Sequence, residues 1–313
     1  MAGTLAVDLG GSGSRARWTS TAGPQRTATG GGLRVSGAGL VAVPLVTALI
    51  DDLGLDAGDV DGACVGLSGL LTLGDGAHAI ADAVRERLGA VPTVVASDAV
   101  TSTVGALGGE PGAVVLAGTG CTALGTDLAD TWHKVDGWGH VLGDAGSGSW
   151  IGARGLTAAF EQHDGRRTDA ADLLAAARSR FGEPEALTRE IYTREDRAGL
   201  LASFAADVLD LARDGDAVAG DVVGAAAREQ ARSLAAALLP PVPPRASYTG
   251  GIFGAGEILT VPLAAELARL RPDVVLEAPL GGALDGAELL ALRAVAGTLA
   301  SHPPLLTVVA GPA

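Results

Sequence analysis

Aromatic side chains make up only 3% of this 313-residue chain, and asparagine is absent altogether. A core with so few rings has to be filled by Val, Leu, Ile and Ala, and the 47 glycines let backbones approach closely, which suits an α/β protein. Cysteine occurs twice, as Cys64 and Cys121, far apart and without CxxC spacing. That excludes a disulfide framework and a cysteine zinc site, and it fits a reducing cytoplasm. Basic residues are outnumbered, 22 Lys+Arg against 36 Asp+Glu, a formal charge of −14. No basic cluster interleaved with aromatics occurs, which argues against nucleic acid or an anionic membrane as partner and leaves a small molecule. Nowhere do 18 uncharged apolar residues run together, and the opening MAGTLAVDLGG lacks a basic region followed by an apolar one. The chain is therefore expected to be soluble, cytoplasmic and unexported.

Hydrophobic residues supply 48% of the sequence, enough for one large domain or two of ordinary size, and two lobes is the expectation. Three of the four tryptophans, Trp132, Trp138 and Trp150, fall in one stretch, Trp132 to Gly155 (WHKVDGWGHVLGDAGSGSWIGARG). Seven glycines interrupt it, so it is neither a continuous helix nor a central strand, since glycine loses the most backbone entropy when held in either. It reads as a functional loop. Ser147 is placed to cap a helix that follows, which puts Asp144 just ahead of a helix N-terminus, a carboxylate beside exposed backbone N–H groups. His140 in the same stretch has no partner ligand at suitable spacing and is read as a loop-packing residue or one that supports the site from behind, not as a metal ligand.

The N-terminal run Thr4–Asp8, the turn Leu9-Gly10-Gly11-Ser12-Gly13 and the alternating Ser14–Trp18 form a β-hairpin with a glycine-rich turn. An aspartate at a strand end beside open N–H groups suits a metal-bound phosphate, although glycine turns also serve ordinary hairpins. Val41–Leu53 and Ala77–Leu88 are helical in period, Gly62–Leu67 and Thr93–Ala96 are strands, and Asp98 falls at a strand-to-helix junction. Taken alone, Ser97-Asp98 is more often a simple helix cap. Ala113–Ala117 runs into Gly118-Thr119-Gly120-Cys121-Thr122 and out through Gly125, repeating the plan of the N-terminus. Two such hairpins, each opening one half of the chain, imply a cleft with both turns gripping one polyphosphate.

Asp169 to Leu239 is helical, with Leu201, Phe204, Val208 and Leu211 on one stripe and Val223, Ala227, Ala231, Leu234 and Leu238 on another. Ser247 to Gly254 is a strand with a third glycine turn, followed by a helix through Leu270. Val274–Leu276 is a short strand, Gly286–Leu299 a closing helix, and the tail beyond Pro303 is expected to be loosely held.

The ordered set VDLGGSGSRARW, GLSG, SDAVTS, VVLAGTGCTALG, DGWGHVLGDAGSGSWIG, YTGGIFG and APLGGALDGAELL resembles the N-acetylglucosamine kinase branch of the BadF/BadG/BcrA/BcrD ATPase family, within the actin-like, sugar kinase and Hsp70 superfamily. The resemblance covers about Leu5 to Leu290 and is most specific over Gly137–Gly152. It implies a two-lobed actin-like (ribonuclease H-like) ATPase fold, with an N-terminal lobe over 1–110 and a C-terminal lobe over 111–313. The second lobe would carry a helical insertion at about 165–240, and the last helix is a candidate to pack back on the first. The resemblance further implies that Asp8 orients Mg²⁺ through water, that Gly10, Gly11 and Ser12 contact the phosphates of ATP, and that Gly118, Thr119 and Gly120 form the second phosphate turn. Gly250 and Gly251 would close over the adenosine, and Asp98 would be the general base. Gly137, Trp138, Gly139, Asp144 and Thr122 would meet the sugar, and a homodimer is expected.

The activity implied is transfer of the γ-phosphoryl group of Mg·ATP to the 6-hydroxyl of an amino sugar, N-acetylglucosamine first. Leu33–Gly39 (LRVSGAG) stands where many relatives carry an Asn-containing stretch that bonds the sugar, Thr122 where close relatives often have Asn, and Ala145 where the GDEGS pattern has Glu. A site lacking those partners gives up discrimination, which makes glucosamine the alternative substrate. Two other readings compete: an activase that serves an iron–sulfur reductase, which requires suitably placed cysteines, and a nucleotide sensor without catalysis.

Overall fold

The computed structural model describes residues 3–11, 13–20, 23–33, 35, 36, 39–70 and 76–311. Two mixed sheets carry the chain. Strand β1 (Gly3–Leu9) pairs antiparallel with β2 (Ser14–Thr19), and β2 with β3 (Arg26–Gly30). On its other side β1 runs parallel to β6 (Val60–Leu67), and β6 to β7 (Thr93–Ser97). Between β3 and β6 lie the two-residue strands β4 (Val35–Ser36) and β5 (Gly39–Leu40), which pair with each other. The second sheet runs β10 (Trp132–Asp136), β9 (Cys121–Thr126), β8 (Gly112–Ala117), β11 (Arg245–Thr249), β12 (Val275–Glu277).

Period-two alternation sorts the faces of the first sheet. Leu5, Val7 and Leu9 pack under helices α1 (Val43–Leu53) and α2 (Gly76–Leu88), whose Val46, Leu49, Ile50, Ile80 and Val84 are buried. Ala6 turns the other way, with Cys64, Val94 and Ala96, toward helices α3 (Asp98–Ala106) and α11 (Ala283–Val295). Asp8 shares the parity of Ala6. The second sheet also uses both faces: Ala113, Val115, Ala117, Cys121 and Ala123 pack on the helical region, whereas Leu124 joins α3 and α11 in the core between the sheets. The two central helices cross at backbone distance. A Cβ at Gly105 would stand 2.0 Å from the Gly282 carbonyl oxygen, and one at Gly286 1.8 Å from that of Thr101.

The helical region consists of α4 (Gly148–His163), α5 (Ala171–Phe181), α6 (Pro184–Thr193), α7 (Arg197–Ser203), α8 (Ala205–Arg213) and α9 (Ala217–Ala237). Both expected stripes face the core. On α9 and its C-terminal end, Val223, Ala227, Ala231, Leu234 and Leu238 are all buried. The first stripe is divided between α7 and α8, with Phe204 at the joint and fully buried.

Three expectations need correction. The stretch from Trp132 is not loop throughout, because its glycine-free first five residues form the edge strand β10, where only one side needs pairing. Gly251–Ala255 is not an open turn but a 3₁₀ helix leading into α10 (Glu257–Leu270). The tail is not loose: β13 (Leu306–Val309) pairs antiparallel with β7, with Leu306 fully buried, so the first sheet receives both ends of the chain.

Candidate active site

Register brings the ends of β1, β6 and β7 to one edge, since Leu9 pairs with Leu67 and Leu67 with Ser97. The chain turns at Gly10, whose N–H donates to the Gly13 carbonyl at 3.0 Å, and Gly11 at the tip is exposed. Ser12, expected in the same phosphate turn, lies outside the described residues, as do Arg34, Gly37 and Ala38 of the 33–39 stretch. Asp8 is 9% exposed, and its carboxylate accepts from Arg15 at 2.7 Å. The donor set fits a cation such as Mg²⁺, which is ordinarily held by one or two carboxylates together with water and phosphate oxygens. Among the described residues no cluster of three or more His, Cys, Asp or Glu is placed to hold a metal.

Ser97 caps α3 through its hydroxyl, which accepts the Val100 N–H, and Asp98 is the first helical residue. Its carboxylate accepts the Ser68 hydroxyl at 2.7 Å and its neighbour Ala99 N–H at 2.9 Å. Ser68 is itself anchored by its N–H to the Leu9 carbonyl at 3.1 Å, which joins the first turn to Asp98. Burial pushes the Asp98 carboxyl above the ordinary range, the two hydrogen bonds pull it back, and the nearby Asp8 charge adds to the rise. The expected helix cap and the expected base are therefore the same junction, divided between Ser97 and Asp98.

In the second sheet the turn Gly118–Gly120 closes between β8 and β9, with Gly118 N–H bonded to the Gly120 carbonyl at 2.9 Å and Thr119 exposed. Gly250 follows β11 alongside, at φ 110°, and a Cβ there would stand 2.3 Å from the Ala117 carbonyl oxygen. Only glycine lets the third turn lie so close to the second. Gly251 beside it is exposed.

The N-terminus of α4 corrects one reading. Ser147 caps the helix as expected, but the N–H groups of Gly148 and Ser149 donate to the carbonyls of Gly118 and Thr119 at 2.8 and 3.1 Å. These N–H groups hold the Gly118–Gly120 turn instead of standing open beside Asp144. Asp144 sits at φ 55°, buried, with the Cys121 and Gly139 N–H groups near enough to favour its charged form. A Cβ at Gly120 would come within 2.9 Å of its carboxylate. Asp144 therefore ties the second turn to the Gly137–Gly139 loop. Burial, followed by the Asp136 charge, pushes its carboxyl up against the pull of those N–H groups.

Gly137 and Gly139 both have positive φ, 73° and 84°. Trp138 between them is 72% exposed, an indole presented on a fixed loop, and it lines with Leu142, Glu229 and Arg232 a groove of about 410 Å³ on the loop's outer side. The Thr122 hydroxyl donates to the Val135 carbonyl at 3.1 Å. His140, read as a packing residue, is exposed. Both cysteines are buried, and burial pushes both thiols up, which leaves them un-ionised and poor ligands.

Three residues of this region escaped the sequence reading. Ser68, in the GLSG run, supports Asp98. Asp136, at φ 60°, accepts the N–H groups of Gly137, Asp144 and Ala145 at 2.8, 2.9 and 2.9 Å and so organises the loop. Lys134 donates to the carbonyls of Asp136 and Gly137 and lies 4.7 Å from the Trp138 ring centroid. One signal was available, because Lys134 is the sole lysine among 22 basic residues.

Two sheets, each with a glycine turn and joined by α3 and α11, define a two-lobed actin-like ATPase fold. Residues 5–264 match the BadF/BadG/BcrA/BcrD ATPase family, and the chain belongs to that family. An N-acetylmuramic acid/N-acetylglucosamine kinase of Clostridium acetobutylicum is 28% identical over 183 residues, 56% of this chain and 58% of that protein. The chain thus matches little more than half the length of that curated relative. The crystal structure of a proposed N-acetylglucosamine kinase from Chromobacterium violaceum superposes with a TM-score of 0.71 at 26% identity, covering 93% of this chain and 99% of the other. A ROK-family glucokinase from Streptomyces griseus, in complex with glucose and AMPPNP, gives a TM-score of 0.59 at 19% identity over 93% and 100% of the two chains and shares the fold.

Proposed function

We propose that this protein transfers the γ-phosphoryl group of Mg·ATP to the 6-hydroxyl of an amino sugar, N-acetylglucosamine first. The observation that carries the reading is Asp98, a carboxylate held by Ser68 and Ala99 beside the first glycine turn and within the electrostatic reach of Lys134 from the opposite sheet. Family membership and the resemblance to sugar kinases support it.

Phosphoryl transfer asks mainly for positioning and for counter-charge around the equatorial oxygens. Gly10, Gly11, Ser12 and Gly118, Thr119, Gly120 would supply backbone N–H groups from the two sides, and Gly250 and Gly251 would close over the adenosine. Asp8 would hold, through water, the Mg²⁺ that neutralises phosphate charge. Asp98 takes the proton from the sugar hydroxyl as it attacks, a contribution of about 10²- to 10⁴-fold. Gly137, Trp138, Gly139, Asp144 and Thr122 would receive the sugar, with the exposed indole offered to its apolar face.

Glucosamine is the alternative substrate, favoured by the engagement of the Thr122 hydroxyl with Val135 and by the apolar Ala145. The buried, un-ionised cysteines argue against an iron–sulfur partner. We read the lobes as dividing near residue 110, with α11 and β13 returned to the first, and the protein as a homodimer, which sizing in solution tests. Among the described residues no helix is long and apolar enough to cross a membrane. Asp98→Asn should abolish sugar-dependent ADP release while ATP binding persists; undiminished turnover in that variant overturns the reading.

A further inference from the structure

The sole lysine stands on the edge strand β10, two residues before the loop, and its side chain is turned back into the protein. An ammonium group has three N–H donors. Two are engaged by the carbonyls of Asp136 and Gly137, one on each side of the peptide at which β10 ends and the loop begins. Its charge lies against the face of Trp138, at 4.7 Å from the ring centroid, in cation–π contact. A Cβ at Gly137 would stand 2.8 Å from Nζ, so the glycine and the lysine fit each other. The other cation at the Trp138 groove, Arg232, is paired with Glu229 at 3.2 Å.

The carbonyls explain why a cation is needed there. The Asp136 carboxylate accepts three N–H groups and, as an acceptor, has nothing to donate to its own carbonyl or to that of Gly137, whereas the lysine does. Removing the ammonium would take one donor from each carbonyl and the cation from the indole. We propose that Lys134 is a positioning residue of the sugar site, pinning the Gly137–Gly139 turn and the Trp138 indole in the geometry that receives the sugar.

The inference rests on the kinase reading, and its test separates the two. Lys134→Met keeps the length and loses charge and donors. It should raise the KM for N-acetylglucosamine by about tenfold or more, the scale of one lost charge-assisted contact and one cation–π contact, while the KM for ATP changes less than about twofold. Lys134→Arg keeps the charge and the stacking and should recover most of the loss. A merely structural role would instead move both KM values together with the melting temperature.

A second measurement uses the wild-type protein and needs no variant to fold. Lys134 carries the only side-chain amine, so an amine-selective ester that labels a side-chain amine reports on this position alone. Saturating N-acetylglucosamine should slow its labelling, read by peptide mass, about tenfold, and ATP alone should not. A wild-type protein that phosphorylates no sugar overturns the kinase reading and this inference with it. Sugar turnover with labelling indifferent to sugar, or an unchanged sugar KM in Lys134→Met, overturns the positioning role alone.

Discussion

Asp98 is pulled in opposite directions, upward by burial and by Asp8, downward by the Ser68 hydroxyl and the Ala99 N–H, and the upward pull prevails. Its folded pKa therefore exceeds its unfolded one. Protonated Asp98 adds stability that is complete below the unfolded pKa and is lost as pH rises through the folded one, whereas the base must be ionised to act. Asp98→Asn should thus raise the melting temperature at neutral pH while removing turnover, and the gap between variant and wild type should close in acid; a variant less stable at neutral pH would contradict this. Ser68→Ala removes a hydrogen bond that favours the ionised form, so the acid limb of the pH–rate profile should move to higher pH, and an unmoved limb would sever Ser68 from the chemistry. At this scale legibility was uneven. Asp98 could be found because a strand, a capping serine and a helix bracket it. Asp136 could not, since its partners are backbone groups of a loop whose turns follow no period, and Lys134 stood out only as the sole lysine.

The loop over 137–147 depends on one carboxylate at its start. Asp136→Ala would strip acceptors from three N–H groups, and we expect a sugar KM raised at least about tenfold with ATP affinity retained, measured by paired titrations. The third turn has a matching vulnerability. Gly250→Ala meets both the Ala117 carbonyl and a positive φ, so it should displace the turn and raise the KM for ATP, leaving the sugar KM nearly untouched. Most elements were readable because their apolar residues recur with period two or 3.6, as along Val223, Ala227, Ala231 and Leu234. The edge strand β10 was hidden by its neighbours: glycines from Gly137 onward coloured the reading of five residues that contain none. The engaged N-terminus of α4 was hidden for another reason, because its partners, Gly118 and Thr119, are some thirty residues away in the chain.

Two sheets become one molecule through α3 and α11, which meet where Gly105 and Gly286 remove side chains from the crossing. Gly286→Ala would drive a methyl into the Thr101 carbonyl, and a destabilisation of about 1–3 kcal/mol or more should appear in denaturant titration. The β-hairpins that announce two lobes are local and were legible. The return of the C-terminus was not, since β13 follows His302-Pro303-Pro304 and finds its partner β7 some two hundred residues upstream. The central claim, a sugar kinase whose base is Asp98, is tested most directly by coupled ADP release from Mg·ATP against N-acetylglucosamine, glucosamine, N-acetylmannosamine, N-acetylmuramic acid and glucose, with Asp98→Asn alongside. One amino sugar should drive turnover that the variant lacks; ADP release indifferent to every sugar, or equal in the variant, would contradict it.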